Sequence, residues 1–333
     1  MSVLAPNVLH DLLVRVLEQS GFSSPNAMAL ADQTVLAEEL GQQSVGVAHV
    51  FDYIDGLKDG RIDGRASPEL STPAATIIHV DGNGGLPQLG FDLAYNDIID
   101  TAHRLGLCLF LHRNATCCGS LGTFALRIAE AGLLCIAATN GSPLLAGSGS
   151  TKPVFCTNPM AFSAPQIDDA PLLIDQSSSA TAYVNIRAAA ERGENIPNDW
   201  AIDKNGQPTT NPNAALEGTL LPFGGSRGAN IALMVEVLSA GLAGANWSLD
   251  APSFFDGSQC PGTGLFLLAI NPAPVTQDFL SRMSAQIRRL AGDFNVHIPG
   301  SSKASLRRSV AIEGIQIDNI HMDRLKSMIG KGG

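Results

Sequence analysis

The segment NATCCGSLGTFA, residues 114–125, has the outline of a catalytic turn: a polar strand end, a glycine, then the start of a helix pattern. Two adjacent cysteines, Cys117 and Cys118, stand where a proton-handling residue would be sought. A thiol reacts only as thiolate, so either cysteine needs a base or a helix N-terminus beside it, and the helix pattern at Gly119 offers the latter. Free cysteines are more often buried and inert, and spacing alone leaves both states open. In LLIDQSSSAT, residues 172–181, Asp175 ends a strand before three hydroxyls. Asp175 could relay a proton, and the serines could orient a ligand or cap the next helix. In GQQSVGVAHVFDY, residues 41–53, His49 and Tyr53 lie four apart on one helical face and, with Ser44, could line a pocket.

Two glycine-rich stretches differ in promise. FGGSRGAN, residues 223–230, sets Gly224, Gly225 and Gly228 beside Arg227 at the start of a long helix pattern. It is either an anion cradle or a tight packing turn. GSGSTKP, residues 147–153, has no helix after Lys152 because Pro153 follows, so it reads as a surface loop. Neither GxGxxG nor GxxxxGK[ST] occurs, and no two of the 7 histidines have metal-ligand spacing, so no metal is expected.

The elements that must position these residues follow from periodicity. A helical layer is expected over residues 7–57, with Ser24 as an N-cap and Pro25 at the first helical position. Strands are expected at ATIIHVDG, LCLFLH, LLCIAATN, PMAFSAP, PLLIDQS and GLFLLAI. Helices are expected at residues 90–106, GTFALRIAEAG, residues 228–244 and VTQDFLSRMSAQIRRLAG, with a short one near the C-terminus. Residues 198–225 read as one long loop, of the kind that is functional or wraps a partner subunit. The alternation predicts a mixed α/β (α+β) core with a helical N-terminal layer.

Composition narrows the class. A chain of 333 residues, 45% hydrophobic, can bury a large core. A net charge of −10 and 5% aromatics argue against nucleic acid and anionic membranes as partners. The first residues lack the basic region of a secretory signal, no apolar run reaches membrane-span length, and the 6 cysteines fit neither a disulfide framework nor a zinc site. A cytoplasmic location with reduced thiols is expected.

The ordered set NATCCGSLGTFALRIAEAGLLCIAATNGSP, KPVFCTNPMAFSAP, LLIDQSSSA, the run from Trp200 to Gly244 and HIPGSSKASLRR resembles the type 2 malate/L-lactate dehydrogenase family over nearly the whole chain. That family also holds ureidoglycolate and sulfolactate dehydrogenases, diketogulonate reductase and the Δ1-piperideine-2-carboxylate/Δ1-pyrroline-2-carboxylate reductases. The resemblance implies an NAD(P)H-dependent oxidoreductase with a non-Rossmann cofactor fold. It implies a homodimer with its site between domains: residues 1–75 with 290–333 for substrate and dimerisation, and 76–289 for the cofactor. Gly119, Ser120 and Gly122 match the turn over which the dinucleotide passes. Thr139 and Asn140, with Thr157, Asn158 and Pro159, match segments near the nicotinamide. Asp175, Ser177, Ser178 and Ser179 match D-x-A-T-S, and Gly224, Gly225, Arg227 and Gly228 match GGxKG with arginine for lysine. The resemblance tilts the cofactor toward NADPH over NADH.

The substrate half departs from the pattern. Where the family has S-H-G-V-x-R, this chain has Ser44, Val45, Gly46, Val47, Ala48 and His49, so the carboxylate-binding arginine is His49. The family's acid/base histidine is Cys117. Losing general acid/base help costs about 10²–10⁴ in rate. A cyclic imine 2-carboxylate that binds already protonated needs hydride but no proton at carbon. Imine reduction is therefore the leading expectation, with Asp175 near the iminium and Ser44, His49 and Tyr53 on the carboxylate. A 2-oxo acid or 2-hydroxy acid dehydrogenase with Cys117, Thr116 or His49 in the proton-transfer role is the alternative. A non-catalytic dinucleotide-binding protein is a distant third.

Overall fold

The computed structural model describes residues 1–167 and 169–329. The chain opens with a short strand, β1 (Ser2–Leu4), and three helices, α1 (Pro6–Ser20), α2 (Ser24–Glu39) and α3 (Val47–Lys58). Then come β2 (Glu69–Ala74), β3 (Ile77–Asp81), α4 (Pro87–Leu105), β4 (Leu107–Ala115), α5 (Leu121–Glu130) and β5 (Leu134–Thr139). Four strands follow: β6 (Leu145–Ala146), β7 (Pro153–Phe155), β8 (Met160–Ala164) and β9 (Leu172–Gln176). After α6 (Tyr183–Arg192) come β10 (Ala201–Ile202), α7 (Pro212–Leu216), β11 (Thr219–Leu220) and α8 (Ser226–Glu236), which runs into a π-helical turn, Val237–Leu242. The chain closes with β12 (Thr263–Ile270), α9 (Phe279–Phe294), α10 (Ser301–Glu313), β13 (Ile315–Ile317) and α11 (Asn319–Ile329).

Seven strands form the main sheet in the order β2-β3-β4-β12-β5-β8-β9. Only β3 and β4 run parallel; the other neighbours are antiparallel, so this is not a doubly wound Rossmann sheet. Its central strands are apolar almost throughout because both faces are covered. Phe110, Cys135 and Leu267 point to the side packed by Phe91 of α4 and Phe124 of α5. Their neighbours Leu111, Ala138 and Phe266 point to the side packed by Val235 of α8. This is the two-residue alternation of a strand carried by apolar residues on both faces.

The helical layer has its own core. Leu9, Leu13, Leu17, Phe51 and Ile54 pack with Val310, Ile315, Met322 and Leu325. The C-terminal segment returns to the first: β1 pairs antiparallel with β13, Ser2 opposite Ile317.

Several expectations shift. Ser23, not Ser24, precedes α2, and its hydroxyl accepts from the Asn26 side chain at 2.9 Å. Residues 198–225 are not one loop: β10 and β11 join β6 and β7 in a four-stranded sheet, and Asn211 caps α7 through its side-chain oxygen. Short strands of two residues carry too little periodicity to be read from sequence. None of Ser177, Ser178 and Ser179 caps α6, which begins at Tyr183 after Ala182. The C-terminal helix α10 has 13 residues, and α11 follows it.

His112, in the middle of the sheet, is 0% exposed and neither ring nitrogen has a partner. Burial pushes its pKa down to about 3, with His79 lowering it further and Asp81 opposing. The folded chain therefore keeps His112 neutral while the unfolded chain protonates it below about 6.5. Stability is expected to fall by about 1.4 kcal/mol per pH unit from this residue alone as pH drops from 6.5 towards 3. Urea unfolding at successive pH values measures the slope, and His112→Phe should flatten it.

Candidate active site

The site begins at α3. The N-terminus of that helix is held by Glu38, whose carboxylate accepts from the Val47 amide at 2.7 Å. Spacings of three and four residues then bring His49, Asp52 and Tyr53 to one face. His49 Nδ1 lies 2.7 Å from Asp52 Oδ2, and the His49 and Tyr53 rings meet edge to face at 4.9 Å.

Across from this face is the turn between β4 and α5. The Tyr53 hydroxyl donates to the Cys117 carbonyl at 2.9 Å, and Gln88 Nε2 donates to the Cys118 carbonyl at 3.2 Å. Gly119 turns the chain at φ +69°, and a Cβ there would lie 3.2 Å from the Tyr53 oxygen. The turn is thus fixed by its backbone, and the Cys117 thiol lies within electrostatic reach of His49.

The histidine that the resemblance expects at position 117 is absent from the turn, yet an imidazole reaches the same turn from α3. Burial alone would lower its pKa. The Asp52 hydrogen bond, the Cys117 thiol and their charges raise it to about 9, so the ring is cationic at neutral pH. Burial would raise the Cys117 thiol, but His49 and the Gly119 amide hold it below its ordinary value. The neighbouring thiols go the other way. Burial and the Cys117 charge push Cys118 well up, and burial pushes Cys156 up to about 11.

Phe254 covers this group, its ring 5.4 Å from His49 and 5.9 Å from Tyr53. Arg61 donates to the Phe254 carbonyl and so ties this segment to the end of α3. The cavity of about 390 Å³ between α1, α2 and α5 is lined by Gln33, Gln88 and Arg127, not by Cys117 or His49.

The other expected catalytic residues have other partners. Asp175 Oδ2 accepts from Gln42 Nε2 at 3.0 Å and from the Gly122 amide at 3.2 Å, with Lys303 Nζ at 4.0 Å. It sits against the first turn of α5, where a negative charge is favoured, and it links that helix to α10. Thr116 is 0% exposed, its hydroxyl unpartnered in a closed space with His112 and Thr263, away from Cys117. Ser44 is exposed and lines a separate cavity of about 140 Å³ with Glu38, Asp318 and His321. Ser44 and Thr116 are thus not brought to His49, because the turn before α3 and the strand end direct them elsewhere.

Gly122 has a role that spacing did not reveal. A Cβ there would lie 2.6 Å from Asp175 Oδ2. Gly122→Ala is expected to displace Asp175 and destabilise the fold by about 1–3 kcal/mol, read as a lower denaturant midpoint with unchanged slope.

The segments matched to the cofactor are knitted together. Thr139 donates to the Gly264 carbonyl at 2.7 Å, and Asn140 bridges the Asn246 carbonyl and the Gly264 amide at 2.8 and 2.9 Å. The Ser178 amide donates to the Thr157 carbonyl and its hydroxyl to the Asn158 carbonyl. The Pro159 carbonyl accepts from the Thr139 amide. Ser179 donates to Ser177 Oγ at 2.9 Å, and Ser120 donates to Gln42 Oε1 at 2.6 Å. Asn158 takes φ +37° and gives its amide to Ala232 and Glu236, leaving Oδ1 buried and unpartnered. Gly224, Gly225 and Arg227 are exposed at the start of α8.

Asp52, Gln42, Gln88, Phe254, Lys303 and Glu236 were missed from sequence. Asp52 could have been found, three residues after His49 on the same helical face. The others arrive from distant segments and left no local signal.

A mostly antiparallel, non-Rossmann sheet under a helical layer, with His49 and Cys117 at the β4–α5 turn, is the arrangement this chain shares with oxidoreductases of the malate/lactate type. Residues 4–326 match the sequence model of the malate/L-lactate dehydrogenase family, and the chain belongs to that family. It is 33% identical to a Δ1-pyrroline-2-carboxylate/Δ1-piperideine-2-carboxylate reductase of Pseudomonas syringae pv. tomato, covering 97% of this chain and 95% of the relative. It is 32% identical to the NADP⁺-dependent (2R)-3-sulfolactate dehydrogenase of Chromohalobacter salexigens, over 95% of each chain. The crystal structure of Δ1-piperideine-2-carboxylate reductase from Pseudomonas syringae superposes with a TM-score of 0.94 at 32% identity, covering 98% of this chain and 100% of that one.

Proposed function

We propose that this chain reduces a cyclic imine 2-carboxylate, of the Δ1-pyrroline- or Δ1-piperideine-2-carboxylate type, to the cyclic amino acid with NAD(P)H. The observation that carries this reading is His49, held cationic by Asp52 and Cys117. It supplies the positive charge that the substrate carboxylate needs where the family places arginine. The similarity to reductases of that substrate class supports the same choice. A bound nicotinamide supplies the hydride. The residues of this chain bind and orient: His49 meets the carboxylate, Tyr53 fixes the turn, Phe254 excludes water, and Asp175 holds the start of α5.

The residues matched to the cofactor suit a dinucleotide. Exposed Gly225 has nothing near a would-be Cβ, and Arg227 stands beside it at a helix start. That combination favours a phosphate. The buried, unpartnered Asn158 Oδ1 offers an acceptor to a carboxamide. Thr139, Asn140, Thr157, Pro159, Gly119, Ser120, Gly122 and Ser177–Ser179 are the further residues proposed to hold it, several of them fixed by their side-chain hydrogen bonds. NADPH is the preferred form, in keeping with the NADP⁺ of the sulfolactate relative.

We also propose a homodimer. The α8–π-helical face leaves Leu233, Val237, Leu242 and Trp247 exposed by 52%, 51%, 53% and 45%, an apolar stripe suited to a second copy. The division into residues 1–75 with 290–333 and 76–289 is kept, supported by the core that unites the first helices with the C-terminus. Among the described residues no helix is long and apolar enough to cross a membrane, and a cytoplasmic location is proposed.

The alternative, reduction of a 2-oxo acid, is favoured by the same ring, since an imidazolium is also a proton donor. Binding of pyrrole-2-carboxylate, a planar analogue that cannot accept hydride, tests the carboxylate role. Calorimetry should show binding that weakens at least tenfold in His49→Gln and as pH rises through 9. Equal binding by His49→Gln would refute the role.

A further inference from the structure

We infer that Gln42 is a positioning residue of the redox site, whose side-chain amide fixes the spacing between the carboxylate-binding helix α3 and the cofactor turn. The inference deepens the reading above and rests on its assignment of Ser120, Gly122 and Asp175 to the cofactor. Gln42 Nε2 donates to Asp175 Oδ2 at 3.0 Å, and Gln42 Oε1 accepts from the Ser120 hydroxyl at 2.6 Å. One side chain thus joins β9, which carries Asp175, to the residue that precedes α5. Gln42 itself belongs to the connection between α2 and α3, seven residues before His49.

The backbone on the Gln42 side is set by its neighbours. Gly41 takes φ +72°, and a Cβ there would lie 2.6 Å from Leu306 Cδ2 of α10. The Gln42 amide donates to the Ala37 carbonyl at 2.9 Å, and the Gln42 carbonyl accepts from the Val45 amide at 3.0 Å. On the far side, Asp175 Oδ2 also accepts from the Gly122 amide at 3.2 Å, with Lys303 Nζ at 4.0 Å. Ser120 is 3% exposed, and its carbonyl accepts from Gln33 Nε2 at 3.3 Å. Both ends of the bridge are therefore held independently of it. A carboxamide suits the two partners because it donates to a carboxylate and accepts from a hydroxyl with one planar group. A carboxylate in its place would face Asp175 with like charge, and an alkyl chain would meet neither partner. Hydride transfer is steep in donor–acceptor spacing, and a misplacement of about 1 Å costs roughly a hundredfold in rate. Gln42 acts on that spacing through the residues it holds.

The test follows steady-state reduction by the full chain with NADPH, using whichever of Δ1-piperideine-2-carboxylate and pyruvate the wild type turns over faster. Hydride transfer to either needs the same spacing, so a preference for pyruvate would refute the imine reading and leave this test standing. Gln42→Leu should lower kcat about tenfold, while KM for the substrate and for NADPH each change less than about threefold. NADPH deuterated at the transferred position should give this variant an isotope effect on kcat at least as large as that of the wild type. Gln42→Glu keeps the size and shape of the side chain but sets a second carboxylate against Asp175. Its kcat relative to wild type should be lowest near pH 8 and recover about threefold or more by pH 6, as the paired carboxyls share a proton. Gln42→Leu should show no such recovery. A kcat of Gln42→Leu within twofold of wild type, a loss confined to KM, a smaller isotope effect, or no recovery of Gln42→Glu on acidification would each overturn the inference.

Discussion

His49→Ala is expected to lower kcat/KM for a cyclic imine 2-carboxylate by about a hundredfold, equivalent to ~2.7 kcal/mol. The ring supplies a buried cation, and removing one partner of a desolvated charge pair costs about 2–5 kcal/mol. If His49 only binds the carboxylate, the loss appears in KM with kcat nearly kept. If it also gives a proton, kcat falls too. The wild-type profile carries the sign of the shift: His49 stays charged up to about pH 9, so activity should hold from pH 6.5 to 8 and decline above 9. The same linkage acts on stability. A histidine raised from 6.5 to about 9 contributes fully below 6.5, and its contribution is lost as pH rises through 9. His49→Arg, which restores the family residue, should recover carboxylate binding but lose the pairing with Cys117.

Glu236→Ala is the largest expected loss of stability, about 3–5 kcal/mol. The carboxylate is 4% exposed and accepts from the Ser248 amide at 2.5 Å, the Ser248 hydroxyl at 2.8 Å and Asn158 Nδ2 at 2.8 Å. Truncation leaves those three donors buried without that partner. It also frees Asn158 from one of the bonds that support its left-handed backbone. Nicotinamide affinity should fall along with the denaturant midpoint, because Thr157–Pro159 belongs to the matched cofactor wall. Glu236→Gln keeps the shape and one acceptor and should lose less than half as much.

Much of this arrangement is legible in the sequence. The apolar runs LCLFLH, LLCIAATN and GLFLLAI are the three central strands, because a strand buried on both faces must be apolar at every position. His49 and Tyr53 share a face because four residues make one turn. Harder to read were features built by long-range packing. The pairing of β1 with β13 joins the two ends of the chain. Phe254 reaches the site from a loop without periodicity. Gly122 looked like a place for a ligand to pass, yet its missing Cβ makes room for Asp175. The substitutions at positions 49 and 117 each looked like a loss when taken alone. In space both lie at the β4–α5 turn, where the helix opposite presents an imidazole.

The most direct measurement compares nicotinamide oxidation on Δ1-pyrroline-2-carboxylate and Δ1-piperideine-2-carboxylate with that on pyruvate and oxaloacetate, using both NADPH and NADH at neutral pH. The account predicts kcat/KM at least a hundredfold higher for the cyclic imines, with NADPH preferred. Equal or faster turnover of the plain 2-oxo acids would contradict it and make His49 the proton donor of a carbonyl reductase.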